Sequence, residues 1–150
     1  MKILFVCTGN ICRSPSAEAL LRYKTVEHNL NHFAVDSAAI MGYHIGDPPD
    51  PRAIECGKEY GVDMSTLKAR KVNPQDFDNF DIIFAMDQGH FQSLNQICPD
   101  KHKHKITLFH QHVNGIQKDV ADPYYGTISD FKYMMKELDS ALNALIQKHT

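Results

Sequence analysis

Lys2-Ile3-Leu4-Phe5-Val6-Cys7-Thr8-Gly9-Asn10-Ile11-Cys12-Arg13-Ser14-Pro15 is the stretch on which the reading of this chain turns. Lys2 to Val6 is a continuous aliphatic and aromatic run without the alternation of a half-exposed strand, so it predicts a strand buried on both faces. Thr8-Gly9-Asn10 reads as a loop. Pro15 suits the first position of a helix, and Ser14 is placed to cap it. A strand, a short loop and a helix in that order put the loop at the carboxyl edge of a sheet, where open α/β sheets bind ligands.

Outward from there, the same alternation repeats. Ala19, Tyr23, Val26 and Leu30 recur at helical spacing, and Phe33 to Ala39 reads as a second strand. Gly42 to Pro51 is rich in chain breakers and reads as a loop. Arg52 to Tyr60 predicts a short helix closed by Gly61, Asp81 to Met86 a buried strand, and Gln88 to Ile97 a helix stopped by Pro99. Ile106 to Phe109 gives a fourth strand. A last helix from about Ser129 to Gln147 carries Phe131, Met135, Leu138, Leu142 and Leu145 on one face. Strands alternating with helices predict one α/β domain over residues 1–150, with a parallel sheet and right-handed crossovers.

Composition agrees and narrows the class. Of 150 residues, 43% are hydrophobic and 23% charged, which excludes disorder, collagen and a coiled-coil rod. Sixteen Lys and Arg against 18 Asp and Glu leave a formal charge of −2, without the basic excess of a nucleic-acid-binding domain. The longest apolar runs, Ile3 to Cys7 and Ile82 to Met86, are too short for a signal peptide core or a membrane span. Cys7, Cys12, Cys56 and Cys98 are too few for a disulfide scaffold. A reducing cytoplasm, free thiols and a monomer with no nucleic-acid or membrane partner are the expectation.

The loop from Cys7 to Ser14 has neither a Walker pattern nor G-x-G-x-x-G. It has a cysteine at a strand end, five residues, then Arg-Ser at a helix start. Backbone N–H groups in such a loop form a nest for an anion, and the helix N-terminus adds partial positive charge. The planar fork of Arg13 suits two oxygens of a tetrahedral anion. Cys7 then lies beneath the anion, in a field that favours its thiolate, with the Ser14 hydroxyl in reach of the sulfur. Gly9 and Asn10 are residue types that accept the positive φ a cradle needs. The chemistry predicted is covalent phosphoryl transfer through a phosphocysteine, with no metal or cofactor. A poor leaving group also needs a general acid that later serves as base on water. Asp122-Pro123-Tyr124-Tyr125-Gly126 supplies Asp122, stiffened by proline and followed by two aromatic rings.

These motifs together resemble the low-molecular-weight protein tyrosine phosphatases. The likeness runs from Lys2 to Lys136. It includes Val6 to Pro15, Val35-Asp36-Ser37-Ala38-Ala39, Gly42-Tyr43-His44-Ile45-Gly46, Ala85-Met86-Asp87 and Asp122 to Gly126. The resemblance implies a four-stranded parallel sheet flanked by helices on both faces. It implies Cys7 as nucleophile, Arg13 as phosphate clamp and Asp122 as general acid/base, acting on phosphotyrosine proteins or small aryl phosphates. Thr8, Gly9, Asn10, Ile11, Cys12 and Ser14 would bind the phosphate; Asn10, Ser14 and Ser37 would support the loop. Tyr43, Tyr124 and Tyr125 would wall the cleft. Cys12 would trap oxidised Cys7 as a reversible disulfide. Ile11 matches the tyrosine phosphatases, whereas relatives acting on phosphoarginine carry threonine there. Ile40 stands where many members have threonine.

Several residues keep two readings. Cys12 is either a redox partner or a small apolar loop residue. Cys56 and Cys98 read as buried small hydrophobes. Because they lie far apart, they count against a thioredoxin-linked arsenate reductase, a relative that relays oxidation through a further close cysteine pair. A phosphoarginine phosphatase is the other alternative on this fold. An idle anion-binding module would need neither Cys7 nor Asp122. His102, His104, His110 and His112 form two H-x-H pairs, which read as a zinc site or as a solvated basic loop around Lys101 to Lys105. Tyr124 and Tyr125 are an aromatic wall or modification sites, and His44 is a cleft residue or plain surface.

Overall fold

The computed structural model of the chain describes residues 1–150, and its centre is the run that opens the sequence. Strands β1 (Lys2–Cys7), β2 (Ala34–Ala39), β3 (Ile82–Ala85) and β4 (Ile106–Leu108) form one sheet in the order β2-β1-β3-β4, with every pair parallel. Ile3, Leu4, Phe5 and Val6 are wholly buried because β1 has a neighbour on each side and a covered face above and below. Each such side chain contributes about 1.5–3 kcal/mol by leaving water.

Six helices cover the sheet: α1 (Arg13–Glu27), α2 (Pro51–Glu59), α3 (Pro74–Asn79), α4 (Gln88–Ile97), α5 (Phe109–Asn114) and α6 (Ile128–Lys148). On one face Ile3, Phe5 and Phe84 pack with Leu20 and Leu21 of α1, Phe109 of α5 and Leu138 and Leu142 of α6. The Phe5, Phe84 and Phe109 rings form an aromatic nucleus with centroids 5.4–5.9 Å apart. On the other face Leu4, Val6 and Ile83 pack with Phe77 of α3 and Leu94 of α4. No helix is long and apolar enough to cross a membrane.

Local expectations failed where tertiary packing outweighed pattern. The first helix starts at Arg13, with Cys12 rather than Ser14 at the cap position and no side-chain cap bond. Ser14 lies inside the first turn, turned toward Cys7. The stripe Ala19, Tyr23, Val26, Leu30 is not the buried face: Val26 is 74% exposed and Leu30 lies past the helix end. Every residue from Arg13 to Leu21 is buried, so that half of α1 shows no amphipathic period to read. Helices α3 and α5 have six residues each, too short to carry a period, and Phe109 begins α5 instead of ending β4. The segment read as a basic loop around Lys101 to Lys105 lies in a 3-10 helix, Asp100–Lys105.

Strand order fixes where a ligand can sit. The chain leaves β1 and β3, adjacent strands, toward opposite faces of the sheet, because α1 packs with one face cluster and α4 with the other. A crevice opens between the two loops at their carboxyl ends. Register places Val6 beside Ala85, so Cys7 and Met86 flank that crevice.

Candidate active site

Cys7 ends β1 and is buried. Its sulfur lies 3.0 Å from the Ser14 hydroxyl and accepts from the Ser14 backbone N–H at 3.4 Å. The direction of the first bond follows from its neighbours. The Asn10 amide nitrogen donates to Ser14 Oγ at 2.7 Å and to Ser37 Oγ at 2.9 Å. Asn10 Oδ1 accepts from the backbone N–H of Arg70 at 3.1 Å, which fixes which end of the amide is nitrogen. With its acceptor site occupied by Asn10, Ser14 O–H donates to the sulfur. Ser37 O–H in turn donates to Glu18 Oε1 at 2.5 Å. The result is a directed chain of donors ending on Cys7 at one end and on Glu18 at the other. Burial raises the Glu18 carboxyl above its usual value, partly offset by the Ser37 hydroxyl and by Arg22, whose Nη2 lies 2.7 Å away.

The loop's backbone is shaped for this. Asn10 has φ 58, a left-handed conformation that asparagine tolerates. Gly9 departs from expectation: its φ is not positive, and the His44 ring packs close over it, 3.0 Å from where a Cβ would stand. The N–H groups of Thr8, Gly9, Asn10, Ile11, Cys12 and Arg13 donate to no protein acceptor. Asn10, Ile11, Cys12 and Arg13 are buried, and free donors on buried residues are rare in folded proteins and mark the place of an acceptor ligand.

Arg13 reaches from the first loop across the crevice. Its Nη1 donates to Asp87 Oδ2 at 2.9 Å and to the Val120 carbonyl at 3.0 Å, while Nη2 lies 3.5 Å from Thr8 Oγ1 and 3.6 Å from Asp122 Oδ2. Its Nε is buried and unpartnered, one more donor left for an anion. Asp87 caps α4 by accepting from the His90 N–H at 2.9 Å. Burial pushes the Asp87 carboxyl up, but the bonds from His90 and Arg13 outweigh it and hold it below its ordinary value. His90 Nε2 lies 2.8 Å from Thr8 Oγ1. Burial pushes the His90 imidazole down to about 4, so it is neutral at physiological pH.

A cavity of about 260 Å³ opens over Cys7. Thr8, Gly9, Ile11, Cys12 and Arg13 form its floor; Tyr43, His44, Asp122, Tyr124 and Tyr125 form its walls. Tyr125 is 91% exposed, and the Tyr124 and Tyr125 rings meet edge to face at 4.9 Å. The Asp122 carboxylate is 42% exposed and accepts from the Tyr124 N–H at 3.1 Å. His44 is thus a wall residue. Every residue that the phosphatase resemblance singles out lines the cavity or supports its floor. Cys12 is buried, and burial together with the nearby Cys7 raises its thiol, so it stays protonated.

Other candidates are not brought together. Cys56 and Cys98 lie in the cores on opposite faces of the sheet and cannot form a relay pair. His102 pairs with Asp78 at 2.7 Å, His110 with Glu137 at 3.0 Å and His112 with His149 at 2.9 Å, so the two H-x-H pairs share no site. Sequence reasoning missed Glu18, Arg70, Asp87 and His90. Two of these left a trace: Glu18 stands at i+4 from Ser14, hence on one helical face with it. Asp87 directly follows a buried strand that ends at the ligand-binding edge.

The sequence model of the family described as low molecular weight phosphotyrosine protein phosphatase matches residues 2–149. Among similar proteins, the low molecular weight phosphotyrosine protein phosphatase of Homo sapiens is 40% identical over 149 residues, covering 97% of this chain and 94% of that one. Among solved structures, a protein tyrosine phosphatase from Entamoeba histolytica with Hepes in its active site superposes with a TM-score of 0.92 at 40% identity, covering 99% and 96% of the two chains. The YwlE arginine phosphatase from Geobacillus stearothermophilus gives 0.89 at 31% identity, covering 98% and 91%.

Proposed function

We propose, from the premise that the chain belongs to the low molecular weight phosphotyrosine protein phosphatase family, that it hydrolyses phosphotyrosine through a phosphocysteine on Cys7. The observation that carries this reading is the row of free donors from Thr8 to Arg13, joined by Arg13 Nε, on the floor of a cavity that also holds a sulfur. Those donors fit the three non-bridging oxygens of a phosphoryl group. Cys7 Sγ attacks phosphorus as the bond to the leaving oxygen breaks, and Asp122 gives that oxygen its proton. Water then attacks the phosphocysteine, the Asp122 carboxylate takes the water proton, and the S–P bond breaks to release inorganic phosphate. The Ser14 hydroxyl stabilises the sulfur as it carries charge at the start and end of the cycle.

Substrate choice follows from the walls. Tyr43, Tyr124 and Tyr125 suit a flat ring standing above the floor. A phosphoarginine substrate is the second reading, favoured by the similarity to an arginine phosphatase; Ile11, which lines the cavity, stands against it, since the resembling phosphoarginine enzymes carry threonine there. Cys12 lines the same cavity and is the partner for oxidised Cys7: a sulfenic acid on Cys7 condenses with the Cys12 thiol, forming a disulfide and releasing water. Four free buried cysteines fit a reducing, cytoplasmic setting.

Turnover measured side by side on phosphotyrosine, phosphoserine and phosphoarginine peptides tests the reading. Phosphotyrosine is expected to be hydrolysed fastest, and Cys7→Ser to abolish release of phosphate. Preference for phosphoserine, or full activity in Cys7→Ser, contradicts it; preference for phosphoarginine selects the second reading.

A further inference from the structure

The two halves of the site are joined by a residue that lies outside the cavity. Residues 123–126, which follow Asp122, make hydrogen bonds to other parts of the protein only through Arg52. Its Nη2 donates to the Tyr124 carbonyl at 3.0 Å and its Nη1 to the Gly126 carbonyl at 3.3 Å. The other bonds of this segment are internal: the Tyr124 N–H to Asp122 and the Gly126 N–H to the Pro123 carbonyl.

Arg52 is itself held on two sides. Asp50 accepts from Nε at 3.0 Å and from Nη2 at 2.9 Å, a forked pair, and the guanidinium carbon lies 4.4 Å from the centroid of the buried Phe131 ring. Asp50 continues the chain of contacts to the floor, because its N–H donates to the Ile11 carbonyl at 2.8 Å. An unbroken path therefore runs from the phosphate loop through Asp50 and Arg52 to the backbone beyond Asp122. A planar fork with five donors can serve one carboxylate and two carbonyls at once; an ammonium cannot hold that geometry.

We propose that Arg52 is a positioning residue that sets the reach of Asp122 to the leaving oxygen, by fixing the acid-bearing loop against the phosphate loop. The proposal rests on the assignment of Asp122 as general acid/base. Arg52 touches neither substrate nor the reacting atoms; it acts by holding the Tyr124 and Gly126 carbonyls. Its loss leaves Asp122 present but badly placed, and a misplacement of about 1 Å costs up to about 10²-fold. In the step that forms the phosphocysteine, such a loss falls on substrates whose leaving group needs a proton and spares those that leave as stable anions.

The test is a set of aryl phosphates graded in leaving-group acidity, with the unaltered enzyme, Arg52→Ala, Arg52→Lys, Asp122→Ala and the Arg52→Ala/Asp122→Ala double variant. In Arg52→Ala kcat/KM, which reads the step that forms the phosphocysteine, is expected to fall roughly 10- to 100-fold for phenyl phosphate and by less than about threefold for the most acidic leaving group. Arg52→Lys keeps the charge over Phe131 and is expected to show the same selective loss in smaller measure. The double variant is expected to be no slower than Asp122→Ala, since a misplaced acid and an absent acid are equivalent. Inhibition by inorganic phosphate reads the phosphate loop alone and should be unchanged. Equal loss across the series, or additive losses in the double variant, overturns the positioning role while leaving the phosphatase reading intact. Absence of aryl phosphate hydrolysis by the unaltered enzyme overturns both. If Arg52→Ala fails to fold, Arg52→Lys carries the same comparison.

Discussion

The loop from Cys7 to Ser14 and the loop from Asp119 to Gly126 meet over one cavity, yet they are built in opposite ways. The first is short, buried and held at both ends by regular structure, β1 before it and α1 after it. Its side chains lock one another: Asn10 alone joins Ser14, Ser37 and the backbone of Arg70. The second is irregular and exposed, anchored upstream by the Val120 N–H to the Met86 carbonyl and downstream by Arg52. A nucleophile and an anion cradle gain from rigidity, because donors must already lie where charge develops. A group that protonates a leaving oxygen and then receives a proton from water must face the open side of the site. The contrast predicts that changes in the first loop damage every substrate alike, and changes in the second sort substrates by leaving group.

The largest effect should come from setting Cys7→Ser beside Asp122→Ala. Cys7→Ser is expected to lower turnover by at least about 10⁴-fold for all aryl phosphates. Asp122→Ala should cost about 10²–10⁴-fold in kcat/KM for phenyl phosphate and progressively less for more acidic leaving groups. A flat Asp122→Ala profile across that series would break the division of labour between the loops.

Asn10→Ala probes the rigidity of the first loop. It removes three hydrogen bonds and places alanine at φ 58. Urea unfolding should report a loss of about 2–3 kcal/mol, and turnover should fall roughly 10- to 100-fold with no leaving-group dependence. Retention of both quantities would show that the network is not what holds the cradle.

The smallest effect concerns pH. His90 is held near 4, below its ordinary value of 6.5, chiefly by burial. A depressed histidine favours the fold while neutral. That contribution is present above about pH 6.5 and is lost as pH falls through about 4, at most on the order of 3 kcal/mol. His90→Gln should therefore flatten the decline in melting temperature between pH 6.5 and pH 4, with turnover at pH 7 changed less than by any substitution above. An unchanged decline would remove His90 from the acid sensitivity of the site.

Legibility in the sequence followed the same contrast. The first loop could be read almost whole, because its logic is local: residues seven apart at a strand end and a helix start must face one another. Even there only one of the two roles read for Ser14 holds: it serves the sulfur and not the helix end, since its hydroxyl is claimed by Asn10 and Cys7. Asp122 could be picked out, but nothing in Asp122 to Gly126 indicates what holds it. Arg52 lies some seventy residues away and looks like an ordinary first-turn residue of a short helix. His90 was silent as a site residue for the same reason, and Asp87 left only its place after a buried strand: their roles depend on contacts with Thr8 and Arg13 across the crevice.

The sequence by itself determined the class of fold and picked out the residues proposed as nucleophile, clamp and proton donor, because hydrophobic runs and loop spacing act over a few residues along the chain. Tertiary structure alone decided which polar groups share those residues: Glu18 at the end of the donor chain, Asp87 beneath Arg13, and Arg52 between the loops. Such partnerships join side chains that are distant in sequence, and burial gives them their strength. Both conditions exist only once the sheet has brought the carboxyl ends of β1 and β3 together.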